Sequence, residues 1–65
     1  MGFNELMEQV GRLPDGARLI FNMYALEGYT HKEIAELLQI SIGTSKSQVN
    51  RARKLIMDFV GNINF

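Results

Sequence analysis

The 65-residue chain has no cysteine, one histidine and one proline. Without cysteine, neither a disulfide nor a thiolate zinc site can reinforce so small a core, and no thiol redox chemistry is open to it. A single histidine is too few for a histidine-based metal cluster or a histidine pair in acid/base work. No apolar run approaches the ~20 residues that span a bilayer, and the N-terminus lacks a charged-then-apolar signal pattern. A soluble chain in the cytoplasm is therefore expected, with no membrane partner. Net charge is also missing: seven basic side chains balance seven acidic ones. What is present is ordinary for a globular domain, 46% apolar and 22% charged residues, too apolar for a disordered polyelectrolyte. A chain of this length buries only about 60% of its unfolded surface. An enzyme with its own substrate pocket is not expected, since no set of nucleophile, base and oxyanion donors can be assembled. No cofactor, metal or small-molecule substrate is expected either. All 65 residues read as one domain, and the Met1-Gly2 opening marks the chain as an expected fragment of a longer protein.

The balanced charge is unevenly placed. Residues 1–40 carry Arg12, Arg18 and Lys32 against Glu5, Glu8, Asp15, Glu27, Glu33 and Glu36, a local −3. Residues 41–54 carry Lys46, Arg51, Arg53 and Lys54 with no acid, a local +4, and Asp58 completes the balance. One anion-facing element on an acidic body is one reading of this split; a solvated helix face is the other.

Glycine and proline divide the chain into helical segments, and no alternating β-branched pattern suggests a strand. The fold class expected is all-α, a four-helix domain with helices near 4–11, 14–27, 31–38 and 42–60. Phe3, Leu6, Met7, Val10 and Leu13 make one apolar stripe on the first. Pro14 suits the first turn of the second, where its missing N–H has no partner to lose, and Asp15 favours the positive end of the helix dipole. Ala17, Leu19, Ile20, Phe21, Met23, Tyr24, Ala25 and Leu26 cover more than one face, which predicts a helix in the middle of the bundle. Gly28 stands where a left-handed cap is wanted. Thr30-His31-Lys32-Glu33 is a capping box for the third helix, and Ser41 is the N-cap of the fourth. On that last helix Ile42, Ser45, Val49, Ala52, Ile56 and Phe59 share a core-facing arc. Ser47, Asn50, Arg51 and Lys54 lie opposite, with Lys46 and Arg53 on the flanks.

A short capped helix, a break of about three residues and a longer helix form a helix-turn-helix, over about residues 30–56, whose second helix usually reads the groove. Here that helix is the acid-free basic stretch. Gly43, Thr44 and Ser45 are small enough for the backbone to approach phosphates at the helix's positive end. Lys46, Ser47, Asn50 and Arg51, spaced i, i+1, i+4 and i+5, are able to reach base edges, asparagine suiting adenine and arginine or lysine suiting guanine.

The runs Leu13-Pro14-Asp15-Gly16-Ala17-Arg18, Glu27-Gly28-Tyr29-Thr30-His31-Lys32-Glu33-Ile34-Ala35, Ile40-Ser41-Ile42-Gly43-Thr44-Ser45-Lys46-Ser47 and Arg51-Ala52-Arg53-Lys54-Leu55, with Phe21, resemble region 4 of bacterial sigma factors, most of all the extracytoplasmic-function (ECF) subgroup of the sigma-70 family. The resemblance covers about residues 6–56. It implies a non-catalytic four-helix domain that binds double-stranded promoter DNA at the −35 element through its last helix. It also implies docking on the β flap of the RNA polymerase core, and an anti-sigma factor as a further class of partner. The family's contact positions fall on Lys46, Ser47, Asn50 and Arg51 for bases and nearby phosphates, with Thr44 and Ser45 as candidates for backbone contacts. Helix geometry alone adds Lys54. Three positions depart from the family pattern: Gln39 where glycine is usual in the turn, Gln48 where a base is common, and Asn50 where bulkier residues occur. They leave the base preference open. Region 2, which reads the −10 element, has no counterpart here.

Two other readings compete: a protein-interaction module whose main activity is polymerase or anti-sigma binding, and the helix-turn-helix end of a response regulator. Among single residues, His31 reads as solvent-facing and Phe21 and Tyr24 as core. Tyr29 reads as an anchor of the turn. Arg18 either pairs with Glu27 or Glu33 or meets DNA phosphate. Gly61 to Phe65 reads as a fraying tail, although Phe59, Val60, Ile63 and Phe65 are apolar enough to cap the bundle or meet a partner.

Overall fold

The computed structural model describes residues 2–61, and its elements are helical throughout that span. Helix α1 is Phe3–Val10, α2 is Asp15–Phe21 and runs on into a π-helical turn at Asn22–Leu26, α3 is His31–Leu38, and α4 is Ile42–Gly61. The all-α expectation and the four segments hold. The second segment differs in kind, because its C-terminal third winds more widely than an α-helix. The wide turn closes with Glu27 N–H donating to the Asn22 carbonyl at 3.0 Å, and π turns of this sort are frequent at functional sites. Pro14 stands just outside α2 at the N-cap position, with extended backbone, so Asp15 takes the first helical position instead.

Local chemistry explains where the helices start and stop. Gly28 has φ +80°, the left-handed conformation expected after the second segment. At the start of α3, Glu33 N–H donates to Thr30 Oγ1 at 3.1 Å and Thr30 N–H donates to Glu33 Oε1 at 3.0 Å, the reciprocal pair that satisfies two orphan donors. α3 ends on Gln39 at φ 55°, ψ 48°, and Ile40 N–H closes the turn on the Ala35 carbonyl at 3.0 Å. A side chain in this left-handed region costs about 1–2 kcal/mol, which is the penalty a glycine would avoid. Ser41 then caps α4, accepting from Thr44 N–H at 2.9 Å.

The core consists of two clusters laid along α4. Val10 and Leu13 from α1 and its turn, Ala17 and Phe21 from α2, and Ala52 and Ile56 from α4 form the first, with Leu6, Leu55, Phe59 and Val60 packed around it. Ile20 and Met23, Ile34 from α3 and Val49 from α4 form the second, bordered by Tyr24, Tyr29, Leu38 and Ile40. Tyr29 therefore anchors the turn as expected, and Tyr24 is half-buried at the border. Several apolar residues assigned inward by periodicity lie outward. Phe3 is 68% exposed at the free end of α1, and Ile42 is exposed in the first turn of α4. Leu19 and Leu26 are 50% and 43% exposed, so α2 is not enclosed on all sides but keeps one open apolar flank. Phe59 and Val60 pack on the first cluster, whereas Ile63 and Phe65 lie outside the described residues.

Candidate nucleic-acid interface

α4 is 20 residues long, about 30 Å at 1.5 Å per residue. Its buried face is Ser45, Val49, Ala52 and Ile56. The spacing that seats these four in the clusters turns Thr44, Lys46, Ser47, Asn50, Arg51 and Lys54 outward, and all six are exposed. Ser47, Asn50 and Lys54 form a row three and four residues apart, with Arg51 and Lys46 on either side, so the side chains share one continuous surface. Among the described residues the recorded ion pair is Arg18 with Asp15, at 2.9 Å. The α4 cations have no acid in their own helix before Asp58. Arg18 thus pairs three residues back rather than with Glu27 or Glu33, on a surface exposed enough that the pair contributes about 0–1 kcal/mol.

The start of α4 is built to present backbone. Ser41 donates its hydroxyl hydrogen to Thr44 Oγ1 at 2.8 Å while accepting from Thr44 N–H. The Thr44 hydroxyl keeps its own hydrogen to donate outward. Gly43 is exposed, and a Cβ there would meet only Ser41 Oγ at 3.8 Å, an ordinary contact. The first N–H groups and the positive end of the helix dipole therefore face solvent over a small-residue surface.

One residue of the expected set does not reach that surface. Ser45 is 0% exposed and its Oγ lies 2.8 Å from His31 Nδ1, so it has nothing to offer a DNA backbone. Its place on the core arc was the signal against it, since periodicity puts it between Val49 and Ala52. His31 in turn is not solvent-facing. It is half-buried, bonded to Ser45 and stacked on Tyr24 with ring centroids 4.3 Å apart and planes 12° from parallel. Arg53, on the flank of α4, places its guanidinium carbon 5.7 Å from the same Tyr24 ring.

Among the described residues no group of three or more metal-ligating side chains converges, and no helix is long and apolar enough to cross a membrane. What α4 offers is a convex, cationic, hydrogen-bonding helix face following a capped turn. Residues 3–56 match the family described as Sigma-70, region 4. The chain belongs to that family. Sigma-70 region 4 is a non-enzymatic family whose helix-turn-helix binds DNA in transcription initiation. This region 4 chain is also similar to the ECF RNA polymerase sigma-E factor of Haemophilus influenzae, 29% identical over 51 residues that make up 78% of this chain and 27% of that relative. It thus spans about a quarter of the length of the curated relative it matches. No solved structure gives a significant match.

Proposed function

We propose that this region 4 chain serves an ECF-type sigma factor in the cytoplasm, and that α4 enters the major groove of the promoter −35 element. The observation that carries the reading is the outward face of α4. Lys46, Ser47, Asn50 and Arg51 stand together on the second helix of a capped helix-turn-helix, with Lys54 one turn further on. Asn50 suits adenine, Arg51 and Lys46 suit guanine or phosphate, and the Thr44 hydroxyl with the first N–H groups of α4 suits a phosphate at the groove's edge. The open apolar flank of α2, with Leu19 and Leu26 exposed, is the surface available for docking on the polymerase β flap or for cover by an anti-sigma factor.

Affinity for DNA is expected to be modest. About four phosphate contacts yield a small counterion-release contribution beside the six to ten of strong binders, and one helix-turn-helix lacks the second half-site of a dimeric repressor. A tether to a second promoter contact through the polymerase supplies the remainder as effective concentration. The expected Kd for a −35 duplex is weaker than about 1 μM near physiological salt. Titration of wild type and variants against duplexes differing by single base pairs tests the assignment. Asn50→Ala and Arg51→Ala each relax preference at particular base pairs by about 1–3 kcal/mol. Lys54→Ala weakens all duplexes alike and reduces the salt slope by about one. Equal, sequence-independent losses for all three remove the base-reading role, and a nanomolar Kd for the isolated monomer points instead to a stand-alone regulator.

A further inference from the structure

Three contacts among four residues trace a path that leaves α4 and returns to it. Ser45 Oγ on α4 shares a hydrogen bond of 2.8 Å with His31 Nδ1 on α3. The His31 ring stacks on Tyr24 in the π turn, and Tyr24 lies under the guanidinium of Arg53, back on α4. Ser45 and Arg53 are eight residues apart, about 12 Å along the helix. Each member is placed by something local. His31 is the first residue of α3, immediately after the Thr30 capping box. Ser45 is one turn inside α4, with its N–H on the carbonyl of the capping Ser41. The wide winding of Asn22–Leu26 sets the direction of Tyr24.

The path contains a directional element that the surrounding core lacks. Ile34, Val49, Leu38 and Ile40 bring α3 and α4 together, but apolar burial is non-directional and tolerates small rotations. Among the described residues the buried polar side chains are Gln9 and Ser45. A buried hydroxyl is costly to leave unpaired, and its hydrogen bond requires one distance and one angle. Only a narrow range of rolls of α4 keeps Ser45 on His31. That roll also aims Lys46 and Ser47, the next two residues, and Asn50 and Arg51, a turn beyond. At the 5–6 Å radius of a helix surface, each 10° of roll displaces a side chain by roughly 1 Å, enough to spoil a bidentate contact with a base edge.

We propose that His31 is a positioning residue for base reading: through Ser45, and braced by Tyr24, it fixes the roll at which α4 presents its outward face. The proposal rests on α4 reading bases. The test measures wild type, His31→Ala, His31→Asn, Ser45→Ala and the double variant against a duplex library with a randomised central segment. It records the ratio of best-bound to median-bound sequences, the affinity for one fixed random duplex, and thermal unfolding by circular dichroism. Folded His31→Ala and Ser45→Ala are expected to compress the ratio by about fivefold while affinity for the random duplex stays within about twofold. The double variant falls no further than either single one, because both remove the same bond. His31→Asn, which keeps a polar atom near the Nδ1 position, recovers most of the ratio. Where His31→Ala does not fold, Ser45→Ala decides, being close to isosteric. An unchanged ratio, losses that multiply in the double variant, or equal loss on cognate and random duplexes overturns the positioning role. A wild-type chain with no preference in the library overturns the base-reading assignment itself, and the positioning role with it.

Discussion

Helices α1 and α2 begin at Gly2 and Pro14 with no side-chain cap, and they join α4 through Val10, Leu13, Ala17 and Phe21 against Ala52 and Ile56. Around the α3–α4 turn the bonding is of another kind. Residues 30–45 hold five side-chain hydrogen bonds: the two of the Thr30 capping box, the two between Ser41 and Thr44, and the one from His31 to Ser45. Under the proposed function the two halves have different tasks. The first half needs only to hold α4 against the bundle, and burial of apolar surface achieves that without specifying angles. The second half must present a helix at a defined angle to a partner with its own fixed geometry, and hydrogen bonds carry angular information. Charge divides at a later point, between the acid-rich residues 1–40, which include α3, and the cations of α4.

The severest challenge to this comparison is to empty either core cluster. Phe21→Ala is expected to cost about 3–5 kcal/mol and Ile34→Ala about 2–5 kcal/mol, against a total stability of roughly 3–10 kcal/mol for a chain this size. Because α4 runs through both clusters, either change should unfold both halves together, read as one loss of helical circular dichroism and of dispersed amide resonances. A Phe21→Ala variant that keeps a native-like α3–α4 unit would show that the polar half stands alone.

The caps come next. Thr30→Ala is expected to cost about 1 kcal/mol in urea denaturation, whereas Asn4→Ala, at an exposed position in the uncapped α1, is expected to change stability by no more than about 0.5 kcal/mol. Equal effects would erase the contrast between the halves. At the other end of α3 the sign reverses. Gln39→Gly relieves the left-handed strain at the cost of extra freedom in the unfolded chain, for a net gain of about 0.5–1 kcal/mol. A loss there would mean that the Gln39 side chain does more than tolerate its conformation.

The smallest effect concerns acid. Thr30 N–H, and after it the Thr30 hydroxyl, holds the Glu33 carboxyl below its ordinary value of 4.5. A carboxylate with a lowered folded-state pKa contributes stability that is present above the unfolded value and is lost as the pH falls through the folded one. Wild type should therefore lose slightly more stability than Glu33→Gln on acidification below about pH 4.5. Superimposable pH profiles for the two would remove the carboxylate from the cap.

Much of the second half was legible residue by residue. Thr30 and Glu33 are three apart, and a capping box needs nothing beyond that spacing, so α3 falls at 31–38 as expected. Gly28 takes its left-handed cap for the same local reason. The outward face of α4 was legible too, because a period of 3.6 separates Asn50 and Lys54 from Val49 and Ile56 without reference to any neighbour. That same period already set Ser45 among the buried residues, against its small-polar character. It failed at the ends and edges of elements, at Phe3, Ile42, Leu19 and Leu26, where burial depends on whether another helix is there to cover the position.

Local spacing and side-chain type thus determined the helices, their caps and the face that α4 turns outward, since each of these depends on atoms within about one turn of the chain. The tertiary structure decided everything that joins residues far apart. His31 and Ser45 are 14 positions apart, and Tyr24, in the π turn of the second segment, stacks on His31 at the start of α3. No periodicity encodes such meetings. They arise when apolar burial brings the helices together and the polar groups caught between them must find partners or remain unpaired.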